Sequence, residues 1–374
     1  MTDDQNAGMS RRDVLEQTGV AATALAGVGT APAVAALGER KTTITTLAQR
    51  DEARGTERVS KRWLQQTKRA TRVKEQLMNA HGNSEGVRSI GIVSADRTIG
   101  DLRAEAVSVE VTDPVHAQSI PSSVEGVSVV TEVAGDSQLT GECTDDTCTH
   151  NIDNLKGGMG FETDFLNGTI GCRVQYNGDE YMMSARHMFV GTADNAYCKS
   201  STNTMTWEKG GDTIGVLSEE FQEKDASLLQ PNSEHDSIGY SDGIVGESGR
   251  VVGRVTRDGL KYLNGKKSET VHKQGAVTGS ESGHIREIQG SEECLNPIQN
   301  IINTVRSSTD QKKGDSGSIV YYKEPQSSSD DHLYAAHLTS FGIDDGTNDA
   351  KGSSASILYK NHGIWYAGEP FRGN

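Results

Sequence analysis

The stretch Lys313-Gly314-Asp315-Ser316-Gly317-Ser318-Ile319-Val320 decides how the chain is read. Two glycines bracket an aspartate–serine pair, and a β-branched run follows. Glycine reaches φ > 0 without Cβ strain, and Ile-Val runs favour strands, so the stretch predicts a tight turn feeding a strand. Such a turn can push the Ser316 hydroxyl outward while the N–H groups of Gly314 and Ser316 converge on one point, as an oxyanion hole requires. The same residue types also build ordinary loops. The reading therefore turns on whether a base and an orienting acid stand elsewhere.

For the base, His187 stands apart from the other nine histidines. It follows the strand-like run Glu180-Tyr181-Met182-Met183 through the small residues Ser184-Ala185, then Arg186. A histidine at the end of a buried strand can reach into a cleft as a general base, although a hydrogen-bonded structural histidine fits the same context. For the acid, Asp225 in Lys224-Asp225-Ala226-Ser227-Leu228-Leu229 stands directly before an apolar run, next to a small residue that allows close packing. Asp212 and Asp236 compete, each in a polar or glycine-rich turn where a turn role suffices.

The chain order His187, Asp225, Ser316 resembles that of the chymotrypsin/trypsin-like serine peptidases. Ser184-Ala185-Arg186-His187 resembles the family's Thr-Ala-Gly/Ala-His, and Lys313 to Val320 its Gly-Asp-Ser-Gly signature. Val271 to Ile285 is similar to a hairpin of the bacterial streptogrisin and glutamyl-endopeptidase groups, and Gly168 to Val174 to the strand before the histidine. The likeness covers roughly residues 160–345 and implies an all-β fold, a double β-barrel with the site in the cleft. The first barrel would span about 160–245 and the second about 248–365, within a peptidase domain at 141–374. It also implies the roles. Ser316 is nucleophile, His187 base, Asp225 orienting acid, and the N–H groups of Gly314 and Ser316 hold the oxyanion, with no metal or organic cofactor.

Departures are visible. Arg186 stands where a small residue is usual, and Met188 where a cysteine often follows the histidine, so the family's bridge would have to join Cys172 to Cys198. The resemblance leaves specificity open. Asp310, six residues before Ser316, matches the place of a basic-side-chain selector. His337, with Thr339 and Ser340, lies where the glutamyl-specific group uses a histidine to bind a carboxylate. Cys143-x4-Cys148 near His150 is an incomplete metal set and reads as a small disulfide hairpin or free thiols.

The 374 residues include 42 glycines, with 34% hydrophobic and 5% aromatic residues, which favours a turn-rich β body. The net charge of -15 argues against nucleic acid and anionic membranes as partners. Ser10-Arg11-Arg12-Asp13-Val14-Leu15 and the small-residue run to Leu37 resemble a twin-arginine signal peptide at 1–37. It is read as cleaved rather than as an anchor, placing the protein outside the cell. Residues 38–140 read as a separate small α+β unit, a pro-region or accessory domain. Its parts are one or two helices from Thr46 to about His81 and strands near 87–93, 106–111 and 127–133. Protein or peptide substrates are the expected partners, with the N-terminal region as a potential intramolecular inhibitor and no stable membrane insertion.

Overall fold

The computed structural model describes residues 40–134, 136–138, 154–163, 166–189, 206–209, 212–231, 239–292, 301–324, 332–344 and 347–366. The export segment and Cys143, Cys148, His150, Cys198, Asp236 and Cys294 lie outside the described residues. Within them no helix is long and apolar enough to cross a membrane.

Strands dominate, as the composition implied, and they form two sheets. The eight-stranded first sheet is built mainly from residues 160–231. Its centre is the antiparallel trio Asp212–Phe221, Ala226–Pro231 and Asp179–Ala185, with Cys172–Tyr176 and the late strand Trp365–Tyr366 at one edge. The second sheet has 17 strands. Ile319–Lys323, which follows the serine turn, runs between Val271–Gly275 and His332–Asp344 in it. An apolar cluster joins the two sheets, with Val174, Met183 and Leu228 from the first meeting Ile319, Leu333 and Leu338 from the second.

The N-terminal region is α+β, but it is not set apart from the rest. Lys41–Gln49 pairs with Arg250–Val255, Val87–Ile99 with Ile285–Glu292, and Asp136–Gln138 with His332–Asp344. Its segment 41–60 is a β-hairpin, Lys41–Gln49 with Glu52–Ser60, although the sequence predicted helix from Thr46 onward. The run Thr42-Thr43-Ile44-Thr45-Thr46 starts the first strand ahead of that point, because β-branched side chains lose rotamer freedom in a helix and pack well on a pleated surface.

The helix starts at Lys61 and ends at His81. Ser60 caps it, its Oγ accepting from the N–H groups of Arg62 and Trp63. Its buried stripe through Trp63, Ala70, Val73 and Leu77 follows the helical period and packs on the strands Val87–Ile99 and Leu102–Val111. Gln66 clamps the backbone of Glu105 from both sides, donating to its carbonyl and accepting from its N–H. Two of the buried clusters, one within this region and one shared with the second sheet, fix the segment to the body.

Candidate active site

Ala185 faces Ala226 and Ser184 faces Ser227 across two antiparallel strands, and all four side chains are buried. Small residues at this crossing let the chain ends beyond it approach closely. On one side the short 3-10 turn Arg186–Phe189 follows and carries His187. On the other, Asp225 closes the turn Gln222–Lys224 in the left-handed region, with φ 46° and ψ 45°. Aspartate tolerates that region better than most side chains.

The result is a three-point grip. The Asp225 carbonyl accepts from the Arg186 N–H at 3.1 Å, and its Oδ1 accepts from the His187 N–H at 2.8 Å. Its Oδ2 lies 2.7 Å from His187 Nδ1. An ionised carboxylate only accepts, so Nδ1 carries the proton and Nε2 keeps its lone pair. His187 and Asp225 are fully buried, and Nε2 has no hydrogen-bond partner among the described residues. Arg186 is equally buried, and its Nε donates to Glu220 Oε2 at 2.6 Å.

Ser316 comes from the second sheet, in a loop laid across the first. Its carbonyl accepts from the Thr169 N–H at 2.8 Å, and the Gly314 carbonyl accepts from Thr169 Oγ1 at 2.7 Å. Gly317 has φ 92°, and a Cβ there would stand 2.1 Å from Ser184 Oγ and 2.3 Å from the Thr169 carbonyl. Only glycine lets the loop sit this close to the strand that leads into His187. Gly314, with φ 97°, aims an N–H that donates to no group among the described residues, as an oxyanion donor must. The Ser316 hydroxyl donates to the Ser340 carbonyl at 3.0 Å.

Asp315 holds this loop from within. Lys273 Nζ and the Lys312 N–H donate to its Oδ2, at 2.9 and 3.1 Å. The N–H groups of Val277 and Thr278 donate to Oδ1, at 2.9 and 3.1 Å. Burial pushes the Asp315 carboxyl up, but Lys273 and these backbone donors outweigh it and hold it below its usual range. Lys273 is fully buried and also donates to Gln311. The sequence reading did not single it out. The signal was available, since Val271, Lys273 and Gly275 all face inward on one alternating strand, and a lysine at an inward position needs an acid.

The residues expected near a specificity pocket fall in different settings. Thr339 and Ser340 lie beside the serine loop. Thr339 bonds to the Asp315 carbonyl and to Ser318 Oγ, and Ser340 supplies the acceptor for Ser316. Asp310 ends the strand Ile301–Asp310, half-buried, opposite Asp349. His337 is fully buried, 3.0 Å from Ser307 Oγ, and burial drives its pKa down to about 3, so its imidazole is neutral at ordinary pH. Asp212 belongs to the strand Asp212–Phe221. Cys172, expected in a bridge to Cys198, is instead a free thiol buried in the core between the sheets, where desolvation pushes its pKa up. Among the described residues no group of three or more His, Cys, Asp or Glu is placed to hold a metal.

No protein-family model and no curated protein matches the sequence. Among solved structures the chain is similar to a glutamic acid specific serine protease at 16% identity and TM-score 0.41, over 56% of this chain and 99% of that one. It is also similar to Nocardiopsis protease, at 16% identity and TM-score 0.41, over 57% of this chain and 98% of the other. A Cellulomonas bogoriensis chymotrypsin is similar at 16% identity and TM-score 0.40, over 57% of this chain and 97% of that one.

Proposed function

We propose that the protein is an exported serine endopeptidase that cleaves peptide bonds through an acyl-enzyme. The observation that carries this reading is the grip of Asp225 on His187, which sets the imidazole tautomer so that Nε2 is a base. In the proposed cycle Ser316 Oγ attacks the peptide carbonyl while its proton passes to His187 Nε2. The imidazolium is supported by Asp225 and returns the proton to the leaving amine. Water then repeats the sequence on the ester. The N–H groups of Gly314 and Ser316 would hold the oxyanion, each such donor contributing about 3 kcal/mol to lowering the barrier. Before attack, Ser316 Oγ has to turn from the Ser340 carbonyl toward His187.

Asp310, His337, Thr339 and Ser340 remain the proposed determinants of side-chain preference. Of these, Asp310 is the group suited to a basic side chain, whereas a neutral, buried His337 supplies no charge for an acidic one. The twin-arginine segment at 1–37 and a pro-region or accessory role for 38–140 belong to the same proposal.

A second reading, a catalytically silent binding protein on this fold, draws on the Ser316–Ser340 bond and on the complete burial of His187 and Ser316. Labelling with a fluorophosphonate, which reacts only with an activated serine, separates the two. The peptidase reading expects labelling of the wild type that Ser316→Ala and His187→Ala each abolish. Folded wild type that resists the probe would favour the silent reading.

A further inference from the structure

Where the N-terminal strands of the second sheet meet its later strands there is an open cavity of about 530 Å³. The strands Val87–Ile99, Leu102–Val111 and Val127–Val133 contribute Ser94, Arg103 and Glu132 to its wall. The opposite wall brings Lys267, Arg286 and Arg306. In a protein of net charge -15, four cations against the two lining carboxylates Glu132 and Glu287 is a local reversal of sign.

These cations are not equally neutralised. Arg306 faces Asp349 at 2.7 Å and Glu110 at 3.4 Å, and Arg286 reaches the same Asp349 at 3.4 Å. Arg103 lies 3.9 Å from Asp96, which is fully solvated and contributes little there. Glu287 is turned toward Lys351, 3.7 Å away. Lys267 has no carboxylate partner among the described residues, and its Nζ donates to the Ile285 carbonyl at 2.9 Å. Burial, with Arg103 and Arg286 nearby, lowers its pKa to about 8. A half-buried ammonium repelled by two guanidiniums gains most from an anion placed among them. Ser94 and Ser308 line the same space and can donate hydroxyl hydrogen bonds.

We infer that this cavity binds a small oxyanion, of the phosphate, sulfate or carboxylate kind, held chiefly by Arg103, Lys267 and Arg286. The site is independent of the peptidase reading. Arg103 belongs to the N-terminal region, and Lys267 and Arg286 to the later part of the chain, Lys267 just after the helix Arg257–Gly265 and Arg286 on the strand Ile285–Glu292. A bound anion therefore ties the two together, and the complete site exists only while both are in place. Such a ligand stabilises the folded state by mass action.

The test is thermal unfolding of the full chain in phosphate against chloride at matched ionic strength, which holds general screening constant. At phosphate tenfold above its Kd the melting temperature should rise by about 2 °C. Lys267→Gln and Arg103→Gln should abolish the rise. Lys267→Arg should keep it, as should Lys360→Gln at an exposed position outside the cavity. A short peptide with a free α-carboxylate, compared with its amidated form, distinguishes a chain terminus from an inorganic anion as the natural ligand. Should Lys267→Gln fail to fold, calorimetric titration of phosphate into the wild type must show one saturable site. Absence of that site, or a melting shift of equal size in Lys267→Gln, overturns the inference.

Discussion

In the first sheet the proposed base and orienting acid, His187 and Asp225, are held by the backbone. The N–H groups of Arg186 and His187 both end on Asp225, and strand register brings Ala185 opposite Ala226 just before them. In the second sheet the serine loop is held by buried charge, with Asp315 on Lys273 beneath Ser316. Farther along the same sheet, Arg306 lies between Asp349 and Glu110, and Lys351 faces Glu110 and Glu287. Glu110 belongs to the N-terminal region, so part of the charge balance of the second sheet is supplied from outside residues 141–374. The half of the site set by local register should tolerate changes of surrounding charge, and the half set by buried ions should not.

The largest effect should come from breaking the backbone-held half at its acid. Asp225→Asn keeps the shape but lets the side chain donate, which favours the wrong imidazole tautomer. The kcat for a peptide substrate should fall by about 10⁴-fold with little change in KM. A loss below tenfold would show that Asp225 does not orient the base.

The charge-held half should break through stability rather than chemistry. Lys273→Met leaves Asp315 buried without its cation, which should cost about 3–5 kcal/mol in urea unfolding. The sign with pH follows from Asp315, whose folded pKa lies below its ordinary value. Its stabilisation is present above the unfolded pKa and is lost as pH falls through the folded one, so the wild type should lose this advantage over Lys273→Met only in strong acid. An advantage that disappears at neutral pH would contradict the pairing.

His337 gives the next largest effect, in the same sense but at milder pH. Its pKa is about 3 folded against about 6.5 unfolded, so below pH 6.5 the unfolded chain binds the extra proton and stability falls with falling pH. From pH 6.5 to 4.5 this one group should remove about 2–3 kcal/mol, at 1.36 kcal/mol per pH unit. His337→Asn should flatten the stability curve over that window, and an unchanged slope would assign the acid sensitivity elsewhere.

Legibility in the sequence follows the same division. The His187–Asp225 contact and the serine turn were readable because each residue carries a local signature, and their chain order suggested combining them. Small residues before the histidine and glycines around the serine report local geometry directly. Lys273 was harder to see, since its partner lies 42 residues away and a lysine in a strand usually faces water. The joining of residues 40–138 to the second sheet was unreadable for a related reason. The pairing of Glu287 with Val93 spans nearly 200 positions and leaves no periodicity in either strand. The part of the hairpin from Thr46 to Ser60 was misread as helix because Leu47 and Val59 fitted a sparse apolar stripe shared with the helix that follows. The Cys172 bridge was inferred from the family pattern, and the core position of that side chain leaves it a buried thiol.

Arg186 gives the smallest expected effect and the sharpest comparison of the two halves. It stands next to His187 in sequence and departs most plainly from the family pattern, and its guanidinium is buried against Glu220. If charge governed this half of the site, its removal would disturb His187 as strongly as loss of Lys273 disturbs Asp315. But Arg186 reaches Asp225 through its backbone N–H, which Arg186→Ala retains, and Glu220 is a quarter exposed and can turn to water. The expected outcome is a stability loss of about 1–2 kcal/mol with kcat/KM within tenfold of wild type and an unshifted pH–rate profile. A displaced acid limb of that profile would show that the guanidinium acts on the imidazole directly, placing the first half under the same electrostatic control as the second.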